Sequence, residues 1–444
     1  MTKWIASAVT RREMLRCLGI LAAAGCTGCR PLRGSGSQRK FSSADDQFLE
    51  DLERTTFRFF DECSHPQTGL VKDRSRADGN DDREIASIAA TGFGLTALCI
   101  ADQRGWLSHQ RARERALLTL RFLHDSLPHE HGFFFHFVNW RTGDRLWACE
   151  LSSIDTALLL AGVLTCRAYF DDAEIRSLAQ SLYDRVDWRW MAHGSLLLRM
   201  GWKPEMGFLD SSWRAYSEHM VLYLMAIGAN EHALAPESWR AWRRPWIEYD
   251  GNRYVSGAAP LFIHQFSHAW FDFRGVHDGF LDYFKNSVTA TRAHRQFCRD
   301  LHDEFPQFGQ DLWGITSSDS AHGYVGWGGP PRQGPLDGTL VPCAAAGSLP
   351  FLPAECLRCL QTMRTRFGDQ AWRRYGFVDA FNPVKGWFNP DVIGIDAGIT
   401  LLMAENLRTG FVWRVFMRNP EVRRGMKLAG FVADGAGDGN RTHV

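Results

Sequence analysis

The chain has almost no net charge: 51 Lys plus Arg against 50 Asp plus Glu leave +1 over 444 residues. No long-range field steers it to an acidic surface, so a nucleic-acid partner is not expected. After its leader it has no apolar run of the ~18 residues that mark a membrane-spanning helix. It has no G-x-S-x-G elbow, no G-x-x-x-x-G-K-[ST] loop and no H-E-x-x-H pair. The Gly326-x-Gly328-Gly329 run enters Pro330-Pro331, which cannot open a phosphate-binding helix. Cysteine forms no framework: of 11, Cys17, Cys26 and Cys29 lie near the N-terminus and the other eight are scattered, most of them in apolar stretches. They read as small buried hydrophobes. Cys356-x2-Cys359 lacks the second pair or nearby His cluster that zinc needs, so no metal and no cofactor is expected. Lysine is scarce, and arginine supplies almost all the positive charge, in a form suited to bidentate contacts. With 45% hydrophobic and 23% charged residues the composition is that of a globular protein, which excludes disorder, collagen and coiled coil.

Aromatic residues are abundant at 13%, with 17 Trp and 30 Phe. A buried indole needs a partner for its N–H, so such a surplus points to a cleft that stacks rings on flat, weakly polar ligands such as sugars. The N-terminus reads as an address. Arg11-Arg12 precede a short apolar run, 17–25, followed by small residues, which resembles a twin-arginine export signal with Met14 where Phe is commoner. Ala23-Ala24-Gly25-Cys26 resembles a lipobox, in which Cys26 would be acylated. A cleaved soluble signal and a cytoplasmic protein with a basic leader are the alternatives. The expected organisation is an export signal over 1–29, a flexible Gly/Ser tether over 30–42, one domain over 43–425 and a disordered tail over 426–444.

Helical patterns fill that domain. Ser43 can cap a helix with Phe48, Leu49, Leu52, Phe59 and Phe60 on one face. Runs over 85–103 and 151–170 are apolar nearly all round, hence interior. Others cover 111–124, 171–186, 212–227, 236–247, 277–302, 340–367 and 390–407, giving about ten to thirteen helices. Strand signals are confined to 132–138 and to 249–255 around Asp250-Gly251. Helices that are apolar all round, alternating with amphipathic ones, predict two concentric rings: an all-α fold, the α/α toroid, with short hairpins in its loops.

Carboxylates and histidines cluster with aromatic residues near predicted helix ends. The clusters are Thr68-Gly69-Leu70-Val71-Lys72-Asp73-Arg74, Ser152-Ser153-Ile154-Asp155-Thr156 after Glu150, and Trp202-Lys203-Pro204-Glu205. Tyr216-Ser217-Glu218-His219, Phe262-Ile263-His264-Gln265-Phe266-Ser267-His268 and Trp313-Gly314 complete the set. Glycoside chemistry asks for one acid to protonate the leaving oxygen, a second to activate water or attack, and rings to hold sugar faces. Taken in order over roughly 45–425, these clusters resemble the bacterial glucoamylase-like domain family, which includes β-1,2-glucanases that release sophorose. The resemblance implies an (α/α)6 toroid, hydrolysis of a β-glucan, an oligo- or polysaccharide partner and no cofactor.

Asp155 and Glu218 are the leading catalytic pair, with Glu150 and Glu205 in reserve. Asp155 opens an apolar helix, where a carboxylate is costly unless paired or functional and its pKa is expected to rise. A helix cap or an arginine partner is the plainer reading. Candidate substrate-binding residues are Asp73, Arg74, Trp140, Trp202, Tyr216, His264, Gln265, His268, Trp270, Trp313 and Trp327, with the indoles expected in loops or at helix ends. His264 and His268 have the spacing of a metal pair but no third ligand, so a sugar contact or a satisfied core position is expected instead. Two rival functions stay open: a non-catalytic glycan-binding lipoprotein, and a polysaccharide lyase using Tyr216, His219, His264 or His268. A monomer is expected, exported to the periplasm or membrane-anchored.

Overall fold

The computed structural model describes residues 41–435; the leader with Arg11, Arg12 and Cys26 lies outside them. The chain alternates between an outer and an inner ring. Helices α1 (Ser43–Glu62), α2 (Ile88–Gln103), α3 (His109–Asp125), α4 (Ser153–Tyr169) and α5 (Ala173–Asp184) come first. After the short α6 (Trp188–Ala192) follow α7 (Met220–Gly228), α8 (Ser238–Ala241), α9 (Tyr283–Asp300), α10 (Pro342–Ala346) and α11 (Pro353–Ala371). Finally come α12 (Gly394–Arg408), α13 (Phe411–Phe416) and α14 (Pro420–Leu428). Outer helices such as α1 and α5 bury one apolar face, whereas every residue of α7 and all of α4 from Ser153 to Cys166 are buried. That contrast follows from sequence, since an all-round apolar helix is stable only when other helices shelter it.

The inner ring runs α2, α4, α7, a pair of 3₁₀ turns (Leu261–His264 and Phe266–Ala269), α10 and α12. It closes because α12 packs on both α10 and α2. Gln265 ties the 3₁₀ turns to α10 by donating to the Ala344 carbonyl (2.9 Å) and the Ser348 hydroxyl (2.8 Å). The fold is therefore the α/α toroid that the alternation of helices predicts.

Three inner helices begin directly from short strands, which the helical runs starting at 85, 151 and 390 had absorbed. Ile85–Ser87 leads into α2 and pairs with Phe137–Asn139. Leu151–Ser152 leads into α4 and pairs with Gly201–Lys203. Asp391–Ile393 leads into α12 and pairs with Arg74–Arg76. These antiparallel stitches hold neighbouring loops together at the end of the toroid where the inner helices start. The hairpin around Asp250-Gly251 forms as its sequence predicts, with φ of 48° and 69° at those residues. The cap of α1 is Ser42, one residue before the expected Ser43. The ordered body also extends beyond 425: α14 ends at Leu428, and Val432–Ala433 pairs with Val276–His277. The eight cysteines among the described residues are all buried free thiols.

Candidate active site

The start of α4 sets the first carboxylate. Ser152 is its N-cap: its Oγ accepts from the Asp155 backbone N–H (3.3 Å) and donates to Asp155 Oδ2 (2.5 Å). Asp155 is 2% exposed and Glu150 6%. Between them lies His136, with Nε2 3.6 Å from Asp155 Oδ2 and Nδ1 3.5 Å from Glu150 Oε1. Its backbone N–H donates to the Glu150 carbonyl (2.9 Å), and its ring stacks on Phe137 at 3.9 Å. One imidazole thus serves two carboxylates, an arrangement that can hold or move a proton between them. Sequence reasoning passed over His136, which sits in a Phe-rich strand stretch; the only signal was a polar residue within that apolar run.

Glu218 precedes α7, the next inner helix, and is fully buried. Its carboxylate accepts from the Ser217 hydroxyl, and its carbonyl from Ser267 Oγ (2.5 Å). Trp213, just upstream, donates from Nε1 to Ser153 Oγ (2.9 Å), tying the approach to α7 to the first turn of α4. Asp155 and Glu218 accordingly stand at the starts of two packed inner helices.

Glu205 is placed differently. It lies on the exposed turn between Gly201–Lys203 and Gly207–Phe208, forming an ion pair with Arg145 that holds its carboxyl down at about 2. It has no proton to donate near neutral pH. Its role is to hold Arg145, whose Nε donates to the Cys149 carbonyl at 2.6 Å.

Asp73 and Arg74 come together on the stitch between the first and last loops. Arg74 donates to Asp73 Oδ2 (2.9 Å) and to Asp319 Oδ2 (2.6 Å). Asn389 then bridges Asp319 Oδ2 (3.1 Å) and Asp379 Oδ2 (3.0 Å). Burial, reinforced by the neighbouring Asp319 and Asp396, pushes the Asp379 carboxyl well above the usual range. Asp396 occupies the third position of α12, as Asp155 does in α4. Asp319, Asp379, Asn389 and Asp396 were not foreseen; the repeat of a short strand followed by a helix with Asp at its third position was the available signal.

Most of the expected sugar contacts are instead core. Trp270 and Trp313 are fully buried, and Trp270 Nε1 donates to Thr96 Oγ1 at 3.0 Å. Trp327 is 5% exposed and donates to Ser318 Oγ (2.9 Å). Trp140 is half-buried, donating to the Cys63 carbonyl (3.1 Å) beneath the Lys72 ammonium, and Trp202 packs on Trp190. Tyr216 and His264 are buried together, with the phenol oxygen 3.2 Å from His264 Nδ1 and Ser256 Oγ 3.2 Å from Nε2. Gln265 is spent on α10, and His268 Nε2 meets Ser287 Oγ at 3.1 Å. An indole's sequence context does not say whether its N–H finds a partner inside. The exposed indole near the carboxylates is Trp147, which had not been singled out.

A toroid with carboxylates gathered where its inner helices start is a glucoamylase-like architecture. Residues 210–420 match the Glycoamylase family model, described as "Putative glucoamylase". Over 430 residues it is 26% identical to an exo β-1,2-glucooligosaccharide sophorohydrolase (non-reducing end) of Parabacteroides distasonis. That match covers 88% of this chain, which spans only 59% of the relative's length. An endo-β-1,2-glucanase from Chitinophaga pinensis, solved with sophorotriose and glucose, superposes with a TM-score of 0.80 at 25% identity, covering 88% of this chain and 99% of that one. A β-1,2-glucanase from Parabacteroides distasonis gives 0.82 at 25% identity, over 88% and 60%.

Proposed function

We propose that this protein is a glycoside hydrolase that cleaves a β-glucan, with β-1,2-linked glucan its preferred substrate. The observation that carries the reading is the carboxylate set at the starts of α4 and α7, with Asp155 and Glu150 sharing the His136 imidazole. The named activities of the similar proteins support the choice of linkage. In this reading Asp155 protonates the leaving glycosidic oxygen, with His136 and Glu150 re-supplying the proton. Glu218 takes a proton from the attacking water. Water then adds to the anomeric carbon as the C–O bond breaks, and each new chain end gains a hydroxyl. We favour inversion, for which carboxyl groups about 6.5–9.5 Å apart leave room for that water.

The test is release of reducing ends from linear β-1,2-glucan, with the anomer of the first product read by NMR. Asp155→Asn and Glu218→Gln should keep the fold and lower turnover by roughly 10²–10⁴-fold, the usual contribution of a general acid or base. A variant retaining more than about a tenth of wild-type turnover removes that residue from the role. Product absorbing in the ultraviolet would indicate a lyase, and binding without cleavage a glycan-binding protein.

We further propose export by the twin-arginine route to the periplasm and acylation at Cys26, on the strength of Arg11-Arg12 and the Ala23-Ala24-Gly25-Cys26 run. Lys at both arginines should trap unprocessed protein in the cytoplasm, and labelled fatty acid should enter only while Cys26 is present. Normal export of the double variant, or no label, rejects the respective half.

A further inference from the structure

Beside the carboxylates the backbone adopts a conformation that its residues disfavour. In Leu146-Trp147-Ala148-Cys149 the Cys149 N–H donates to the Leu146 carbonyl (3.0 Å), while Trp147 and Ala148 have φ of 55° and 46°. This is the pattern of a type I′ turn, which Asn-Gly or Gly-Gly ordinarily fills, because a Cβ is crowded in the left-handed region. Here both central residues carry one. Such a turn persists only where its surroundings over-determine it, and these do. Lys203 Nζ donates to the Ala148 carbonyl (2.7 Å), Arg145 Nε to the Cys149 carbonyl (2.6 Å), and Glu205 pins Arg145 in turn.

What the turn achieves is exposure. The Trp147 indole is 60% exposed, so packing within the chain does not reward holding it there. It meets the Phe137 ring edge to face (5.3 Å, 62°), and Phe137 in turn stacks on the His136 ring at 3.9 Å. The indole is thus one aromatic ring away from the imidazole that Asp155 and Glu150 share. A β-linked glucosyl unit carries its hydroxyls equatorially and presents flat C–H faces, which suit the face of an indole.

We propose that Trp147 is the platform on which a glucosyl ring of the substrate stacks next to the bond to be cut, with Lys203, Arg145 and Glu205 as positioning residues that hold the turn. This rests on the glucan-hydrolase reading above and assigns the residue that sets its affinity. Trp147→Ala should raise KM for β-1,2-gluco-oligosaccharides about tenfold, with kcat changed less than about threefold; Trp147→Phe should recover most of the loss. In an Asp155→Asn background, whose slowed turnover lets binding be read, sophorotriose should shift tryptophan fluorescence, and Trp147→Ala should abolish most of that shift and weaken Kd about tenfold. Circular dichroism checks that each variant is folded. Unchanged KM and Kd in a folded Trp147→Ala variant overturn the proposal and leave the hydrolase reading standing. If the wild type releases no reducing ends while Asp155→Asn still binds in a Trp147-dependent way, the hydrolase reading falls and the platform stands. No binding of any gluco-oligosaccharide overturns both.

Discussion

His219, His264, His268 and His294 are each 2% exposed or less, an unusual set of enclosed imidazoles. Burial pushes the pKa of all four down, to about 3 for His268 and His294. The folded state therefore keeps these rings neutral where an unfolded chain would protonate them. Their stabilising contribution is fully present above the ordinary histidine value near 6.5 and is lost as pH falls from there toward 3. Glu53 and Asp379 act in the opposite sense, since burial raises their carboxyls and the folded state holds those protons longer. A single substitution isolates one histidine from this balance. His268→Gln can keep a hydrogen bond to Ser287 but cannot titrate. Between pH 6.5 and 4.5 its unfolding free energy should fall less steeply than that of the wild type, by about 1.4 kcal/mol per pH unit. Urea unfolding across that range checks this; parallel curves would show that His268 is not the group responsible.

Elements in this molecule touch backbone to backbone at glycine pairs. A Cβ on Gly162 would lie 2.1 Å from the Gly92 carbonyl oxygen, and one on Gly92 2.3 Å from that of Leu158, so α2 and α4 pack without side chains between them. The contact of α7 with α14 repeats the device, with Gly425 2.0 Å from the Leu224 carbonyl by the same measure. Gly162→Ala should thus destabilise the fold by about 1–3 kcal/mol, as overpacking does, and a lowered thermal midpoint is the readout. The inner helices themselves were legible as runs apolar on every side, though their beginnings were not. Ile85–Ser87 and Leu151–Ser152 are strands only because Phe137–Asn139 and Gly201–Lys203 pair with them, and a short apolar run does not reveal whether it is strand or helix. The helix expected over 212–227 starts only at Met220, since Tyr216 is engaged by its N–H with the Arg243 carbonyl. The one expected over 236–247 stops at Ala241, ahead of Pro245, around which a helix cannot continue.

At the scale of the whole molecule, the toroid was readable from alternation alone, whereas its site was readable only in part. Asp155 and Glu218 announce themselves as charges beside apolar helices. His136 and Trp147 acquire meaning only when strand pairing and a strained turn bring them beside those charges. The stitch between Arg74–Arg76 and Asp391–Ile393 has a consequence in time as well as in space. Arg83 and Asp391, which pair across the same seam, are 308 residues apart in the chain. During synthesis the early hairpins can form as they emerge, but the flank of α2 that receives α12 has no cover until the last inner helix has been made. At ordinary elongation rates of about 5–20 residues per second, that apolar flank waits roughly 15–60 s, the interval in which a nascent chain of this fold most needs protection from aggregation.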